Sequence, residues 1–410
     1  MEGQNQHVLV LGGSSFMGLE LLITLSKRQN TLVYFINRGK KYWDGLSHTL
    51  TEQHPDRIFH YVGDRGKRLE FQQVLGKMFE DMKIKSGGAS EQFDLVVDFS
   101  AYLKSDLKVY STYESSQAHI DIGADEMRRL SHSVEKGGLT EDMGYLDQSK
   151  LTEKQLKQLK KQDSYGFKKL LAENYIFEQS QKLQFKVLSF RLPDVIGPFD
   201  ESHRFWQQIL WCQNSEKYPL QIDNNAKNIK ISFVLSIDVV TIITYILDQK
   251  ITPTGIYNIG CQEQLTLVEF YKLMCELLGC GEAKMIEITD KISKTIFPSV
   301  SLGPICIDQA KNMLKFSPTP LRDALKISID FFTSLKEGQF EQERQDVLKG
   351  FQDIVKIYEK QNEDSQSSSQ LSSSSTSSLD SSNSDDDESS INDQSKEIQN
   401  EKPLSHEISQ

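Results

Sequence analysis

The stretch His7-Val8-Leu9-Val10-Leu11-Gly12-Gly13-Ser14-Ser15-Phe16-Met17-Gly18 decides the fold. A short apolar run enters a turn punctuated by glycine, and from Phe16 to about Lys27 apolar residues recur at helical spacing. This order predicts a strand feeding a helix through a turn tight enough to admit a diphosphate. The anion would meet unpaired backbone N–H groups and the positive end of the helix dipole. Gly12, Gly13, Ser15, Phe16, Met17 and Gly18 are therefore the candidate contacts to the phosphates of a dinucleotide.

About twenty residues past the turn, the run Thr31-Leu32-Val33-Tyr34-Phe35-Ile36 ends in Asn37-Arg38-Gly39-Lys40. A fold of this kind reads the adenosine ribose there, with an acidic residue for a 2′-hydroxyl or a cation for a 2′-phosphate. This chain offers Asn37 and then Arg38, which points to NADP(H), with NAD(H) the alternative.

Further strands are expected at Arg57 to Val62, Phe93 to Phe99 and Phe185 to Phe190, with helical patterns at Phe71 to Met82 and Lys150 to Gln181. Alternating strands and helices predict an α/β fold, a Rossmann-type doubly wound parallel sheet. From Pro198 onward the alternation is less regular, with short strands at Ile229 to Val234 and Gly255 to Ile259 and helices from Asp238 and Thr266. The expected organisation is a dinucleotide-binding domain over 7–197, a smaller C-terminal substrate lobe over 198–335, a helix over 336–360 and a tail over 361–410.

Length and charge set the outer bounds. With 410 residues, 38% hydrophobic and 26% charged, the chain is long and apolar enough for a full core in two lobes. The tail is rich in serine, holds the run Asp385-Asp386-Asp387-Glu388 and accounts for most of the net charge of −11. Such a segment buries too little apolar surface to offset its ordering entropy, so a disordered tail is expected. The five cysteines Cys212, Cys261, Cys275, Cys280 and Cys306 lack paired spacing and read as reduced thiols. No run approaches a membrane span, and the short polar start Met1 to Gln6 lacks a secretory pattern, so a cytoplasmic protein without a membrane partner is expected. The histidines lie apart from carboxylates at ligand spacing, and no metal site is expected.

The chemistry is carried by Asp163-Ser164-Tyr165-Gly166-Phe167-Lys168-Lys169. In a helix, Tyr165 and Lys169 lie one turn apart on the same face. A phenol works as a general acid or base near neutrality only when its charged form is favoured by about 4 kcal/mol. One ammonium about 4 Å away at an effective dielectric near 20 supplies an energy of that order.

Taken together, these pieces make the chain resemble an extended short-chain dehydrogenase/reductase of the NAD-dependent epimerase/dehydratase family, in an atypical form of the glycine turn, over about residues 7 to 335. The turn Gly12 to Gly18 is followed by Gly63-Asp64-Arg65, Asp98-Phe99-Ser100-Ala101, Tyr165 with Lys169 and Glu173, and Arg191-Leu192-Pro193-Asp194-Val195-Ile196-Gly197-Pro198. Phe233-Val234, Tyr257-Asn258-Ile259-Gly260 and Phe316-Ser317-Pro318-Thr319-Pro320 complete the order. The resemblance implies bound NAD(P), a small-molecule substrate that is often a nucleotide sugar, and Tyr165 exchanging a proton while hydride moves to or from nicotinamide. It also implies Asp64 near adenine, Ser100 and Ala101 along the cofactor, Lys169 on the cofactor ribose, and Leu192 and Val195 near the nicotinamide. A homodimer is left open.

Two departures bear on activity. Ser15 stands where the family has its middle glycine. The family also places a helix, a fifth strand and a loop with Ser or Thr between the fourth strand and the catalytic helix. Here Leu107-Lys108-Val109-Tyr110-Ser111-Thr112 follows Phe99 too soon for a parallel crossover. Ser111 to Gly138 holds only Ala118-His119-Ile120-Asp121-Ile122 as an apolar patch. The expectation is therefore direct pairing of Phe185 to Phe190 with Phe93 to Phe99 and a displaced catalytic helix; Thr112, set on the shortened segment, is the candidate carried over from the resemblance for the substrate-orienting hydroxyl. The main functional reading is an NAD(P)-dependent epimerase/dehydratase-like oxidoreductase. The alternatives are a cofactor-binding sensor or scaffold with weak turnover, and an RNA-binding atypical member. Nucleic acid is disfavoured by a body of near-zero net charge joined to an acidic tail.

Overall fold

The computed structural model describes residues 5–88, 92–101, 103–107, 118–124, 138–144, 152–162, 164–224, 227–250, 253–288, 297–298, 304–336, 338–353 and 355–356. The first apolar runs form the strands their pattern predicts, β1 (Gln6–Leu11) and β2 (Thr31–Asn37), followed by β3 (Ile58–Val62), β4 (Leu95–Asp98), β5 (Ala118–Ala124) and β6 (Lys186–Leu192). With the strand Gly255–Asn258 beyond β6, they make one seven-stranded sheet in the order Gly255–Asn258, β6, β5, β4, β1, β2, β3. Every pairing in it is parallel.

Near-continuous apolar strands belong in a sheet covered on both faces. Val8 and Val10 of β1 pack with Leu19, Leu22 and Leu25 of the helix Phe16–Ser26 and with the helix Ser236–Gln249. Leu9 and Leu11 face the opposite side, with Phe71, Leu75 and Met78 of the helix Arg68–Lys85 and Ala172 and Ile176 of the helix Ser164–Leu183. The sheet is thus doubly wound. A second core joins the helices Arg204–Gln213, Leu267–Leu278 and Leu321–Thr333, and Phe351 from the helical stretch 341–353 stacks on Trp211 with ring centroids 5.0 Å apart. All five cysteines are free, and among the described residues no helix is long and apolar enough to cross a membrane.

The expected gap after the fourth strand is corrected. β5 lies between β4 and β6, with Val96 opposite His119 and His119 opposite Val187, so β6 does not pair directly with β4. The crossover runs over 99–117, longer than the dozen or so residues a parallel connection needs. Lys104–Leu107 opens that crossover as a helical turn. The physical basis for a displaced catalytic helix is thereby removed.

The helix Ser164–Leu183 is fixed against β6 by a buried ion pair. Arg191 Nη2 lies 2.6 Å from Glu173 Oε1 and Nε donates to Glu173 Oε2 at 3.1 Å, while Ser189 Oγ donates to the same Oε2 at 2.7 Å. Arg191 Nη1 donates to the Glu141 carbonyl at 2.8 Å, and the Glu141 carboxylate accepts from Asn258 N at 2.8 Å. Both members of the pair are almost fully buried. Removing one partner strands a charge in the interior, which typically costs about 3–5 kcal/mol. Glu173→Gln is therefore expected to lower unfolding free energy by about that amount in a urea titration, and Glu173→Gln with Arg191→Met to recover part of it. A loss below about 1 kcal/mol, typical of surface pairs, would contradict the role given to this pair.

Candidate dinucleotide-binding and catalytic site

The site starts from a backbone contact that only glycine permits. Gly12 has φ +89°, and a Cβ there would lie 3.2 Å from Ser100 Cβ. At Gly18 a Cβ would stand 2.1 Å from the Gly12 carbonyl oxygen. The first turn of the helix Phe16–Ser26 therefore rests directly on the end of β1, with the Ser100 side chain alongside. Ser15 precedes this helix in extended conformation, and its hydroxyl makes no capping bond to the first-turn N–H groups. The Phe16 N–H donates to the Phe199 carbonyl at 2.9 Å.

At the tip of β2, Asn37 is buried. Its Oδ1 accepts from Gly39 N at 2.7 Å and faces His60 Nε2 at 3.0 Å. Burial and the neighbouring His48 push the His60 pKa down to about 4, so near neutral pH the ring is uncharged. Its Nε2–H donates to Asn37 Oδ1. Two donors on Oδ1 fix the orientation of the amide and leave Asn37 Nδ2 as a buried donor without a partner among the described residues. Arg38 beside it is exposed.

Asp64 turns its carboxylate to its own loop, accepting from Gly66 N at 2.9 Å. The cation beside it does more. Arg65 donates through Nη1 and Nη2 to the two oxygens of the fully buried Asp98, each at 3.1 Å, and through Nη2 to Ser100 Oγ at 2.9 Å. Asp98 in turn accepts from Ser100 N at 2.9 Å. This clamp joins the carboxyl ends of β3 and β4 next to Gly12. Sequence reasoning missed it because β1 and β2 lie between those strands, and no periodicity connects residues so placed.

Lys169 is 6% exposed, and its Nζ donates to the Ala101 carbonyl at 2.5 Å. Tyr165, one helical turn earlier, is 42% exposed. A buried amine anchored just past the carboxyl end of β4 and an accessible phenol one turn away thus stand at the edge where the glycine turn opens. Ala101 is buried, and Leu192 and Val195 are packed into the interior, so what these three present to the crevice is chiefly backbone. Thr112 lies outside the described residues. The chain leaving β5 at Gly123-Ala124 carries no Ser or Thr before Ser131.

The model of the NAD dependent epimerase/dehydratase family matches residues 8–260. Among solved structures, the chain is similar to dTDP-glucose 4,6-dehydratase from Bacillus anthracis in complex with NAD, with a TM-score of 0.60 and 16% identity, over 81% of this chain and 98% of that one. It is also similar to UDP-glucuronic acid 4-epimerase from Bacillus cereus in complex with UDP-glucuronic acid and NAD, with a TM-score of 0.58 and 18% identity, over 81% and 100%. UDP-glucose 4-epimerase from Thermotoga maritima with UDP-glucose gives a TM-score of 0.57 and 14% identity, over 80% and 99%. At these identities the likeness is one of fold. No curated protein sequence matches the chain.

Gly18→Ala would drive a methyl group into the Gly12 carbonyl, a backbone atom with no rotamer by which to withdraw. The expected result is a loss of about 1–3 kcal/mol in unfolding free energy, read from the urea midpoint. An unchanged midpoint would contradict the close approach described for this turn.

Proposed function

We propose that this chain, which belongs to the NAD-dependent epimerase/dehydratase family, is an epimerase- or dehydratase-type oxidoreductase that binds NADP(H) and acts on a nucleotide sugar or a similar polar carbonyl or hydroxyl compound. The observation that carries the reading is the bond from Lys169 Nζ to the Ala101 carbonyl, which ties the Tyr165 helix to the sheet edge where the glycine turn opens. The residues present fit a dinucleotide. Gly12 and Gly18 themselves add no side chain to the turn, and Asn37 Nδ2 is a buried donor with no partner among the described residues.

That donor favours a phosphate. A 2′-phosphate offers only acceptors and carries charge that the exposed Arg38 next to Asn37 would complement, often through two hydrogen bonds. Two of the structural neighbours named above, from Bacillus anthracis and Bacillus cereus, hold NAD, so the proposed preference for NADP(H) rests on this chain's own residues. When bound, the nicotinamide supplies the hydride donor or acceptor. Tyr165 Oη would hold and return the substrate proton. The Lys169 ammonium favours the charged form of that phenol, and its N–H groups beyond the one on Ala101 would orient neighbouring hydroxyls.

A second reading, a cofactor-binding member with weak turnover, is favoured by one observation. No Ser or Thr follows β5 before Ser131, and Thr112 precedes that strand, so the hydroxyl that would complete the acid/base pair has no assigned source at the carboxyl edge.

Thermal shift with NADP⁺ and NAD⁺ separates these ideas, because a ligand that binds only the folded state raises the melting temperature. NADP⁺ is expected to bind about tenfold tighter than NAD⁺, and Arg38→Ala to abolish the difference. Equal affinities in the wild type would contradict the assignment of Asn37 and Arg38. With UDP-glucose, UDP-glucuronic acid and dTDP-glucose as the first substrate panel, Tyr165→Phe is expected to lower kcat by at least about a hundredfold with little change in cofactor affinity. Wild-type binding without turnover that depends on Tyr165 would select the second reading.

A further inference from the structure

The anion-receiving end of the helix Phe16–Ser26 is not open in this chain. Phe199 places its carbonyl oxygen on the Phe16 N–H at 2.9 Å, and the same oxygen accepts from Trp43 Nε1 at 2.9 Å. Two residues on, the Glu201 carboxyl faces the Ser15 hydroxyl, which favours its charged form. Solvent reaches Glu201, yet desolvation by the atoms around it raises its pKa, and Asp200 adds to the rise. Two acceptors, one of them a carboxylate, thus stand where a helix N-terminus would receive phosphate oxygens.

The segment is held in place from behind. Trp43 packs edge-on against Phe199 at 5.8 Å, Phe331 at 5.4 Å and Phe340 at 5.5 Å, and His203 packs on Phe340 at 4.6 Å. Asp200 is buried and fastens the turn by accepting from Ser202 N at 2.9 Å. Of the nine described non-glycine residues with positive φ, Gln184, Lys250 and Lys315 directly follow helix ends, where that conformation is common. The other six are Phe16, Trp43, Asp44, Phe199, His203 and Phe340, all in or adjoining this cluster. Bulky side chains rarely adopt that region, and such residues gather at clamps and switches.

We propose that Phe199–His203 is a strap that competes with the cofactor: Phe199 O and the Glu201 carboxylate mimic the diphosphate of a dinucleotide at Phe16 and Ser15, and the strap withdraws for the dinucleotide to bind. This rests on the dinucleotide reading above and adds the control of that site. Binding then depends on the charge of Glu201. The other charged groups acting on it are Asp200 and Arg204, and the glycine turn contributes only the hydroxyl of Ser15, which does not titrate here. His203, on the same strap and near Glu343, has its pKa lowered by burial and is uncharged near neutral pH. As pH falls through the raised Glu201 pKa, the carboxyl loses its charge and repulsion of the diphosphate goes with it. Wild-type affinity is expected to rise over that range.

The test is calorimetric titration of the full chain, as wild type and Glu201→Gln, with NAD⁺ and with inorganic diphosphate. NAD⁺ is chosen because it lacks the phosphate monoester that titrates near pH 6. Glu201→Gln is expected to bind NAD⁺ about tenfold tighter than wild type near pH 8, with the gap closing at a second, acidic pH below the raised Glu201 pKa. Trp43→Phe, which keeps the ring and loses the donor to Phe199 O, is expected to move affinity in the same direction. Equal NAD⁺ binding by wild type and Glu201→Gln at both pH values would overturn the strap and leave the dinucleotide reading standing. Diphosphate binding that improves in Glu201→Gln, with NAD⁺ bound by neither protein, would overturn the dinucleotide reading and with it the competition with a cofactor, leaving Glu201 as a guard against anions alone. No binding of either probe would overturn both.

Discussion

The architecture of the site depends on one close backbone approach, the Gly12 carbonyl against the α-carbon of Gly18. Because no side chain intervenes, the helix Phe16–Ser26 starts directly over the end of β1, and its first turn lies at the carboxyl edge of the sheet, where the Phe199 carbonyl takes the Phe16 N–H. The rest is arranged around that edge. Ser100 leans on Gly12, Arg65 and Asp98 clamp the ends of β3 and β4, and Lys169 reaches back to Ala101. Open parallel sheets bind ligands outside their strand carboxyl ends for this geometric reason.

A second constraint sets the angle of the helix that carries Tyr165 and Lys169. Tyr165, Lys169 and Glu173 recur every four residues along Ser164–Leu183, so fixing one of them fixes the line of all three. Glu173 is fixed by Arg191 and Ser189 on β6, and Lys169 by Ala101 beyond β4. These two anchors lie on either side of β5, the strand whose neighbours hold the helix in register with the turn. The family match over residues 8–260 embraces all of these parts.

Much of this was legible in the sequence. The runs at β1 and β2 are apolar and β-branched, and the glycine turn and the Tyr165-Lys169 spacing carry their chemistry locally. β5 was not legible, because Ala118-His119-Ile120-Asp121-Ile122-Gly123-Ala124 places His119, Asp121 and Gly123 at alternate positions, the pattern of a half-exposed strand, although it pairs on both sides. The Arg65–Asp98 clamp and the contact of Phe199 with Phe16 join residues far apart in the chain, and nothing in local spacing marks either. The sequence singles out Asn37 by its place at the end of an apolar run, and the structure puts it at the tip of β2. Its orphaned donor emerges only once Gly39 and His60 are seen to occupy its oxygen.

The most direct test of the account is backbone hydrogen exchange of the full chain with and without saturating NADP⁺, resolved by peptide. A dinucleotide seated at the carboxyl edge is expected to slow exchange in peptides covering Gly12 to Leu19, Asn37 to Lys40 and Asp98 to Ala101, and to leave the helix Leu267–Leu278 unchanged. Protection absent from the glycine turn, or confined to the second core around Phe205 and Phe270, would contradict it.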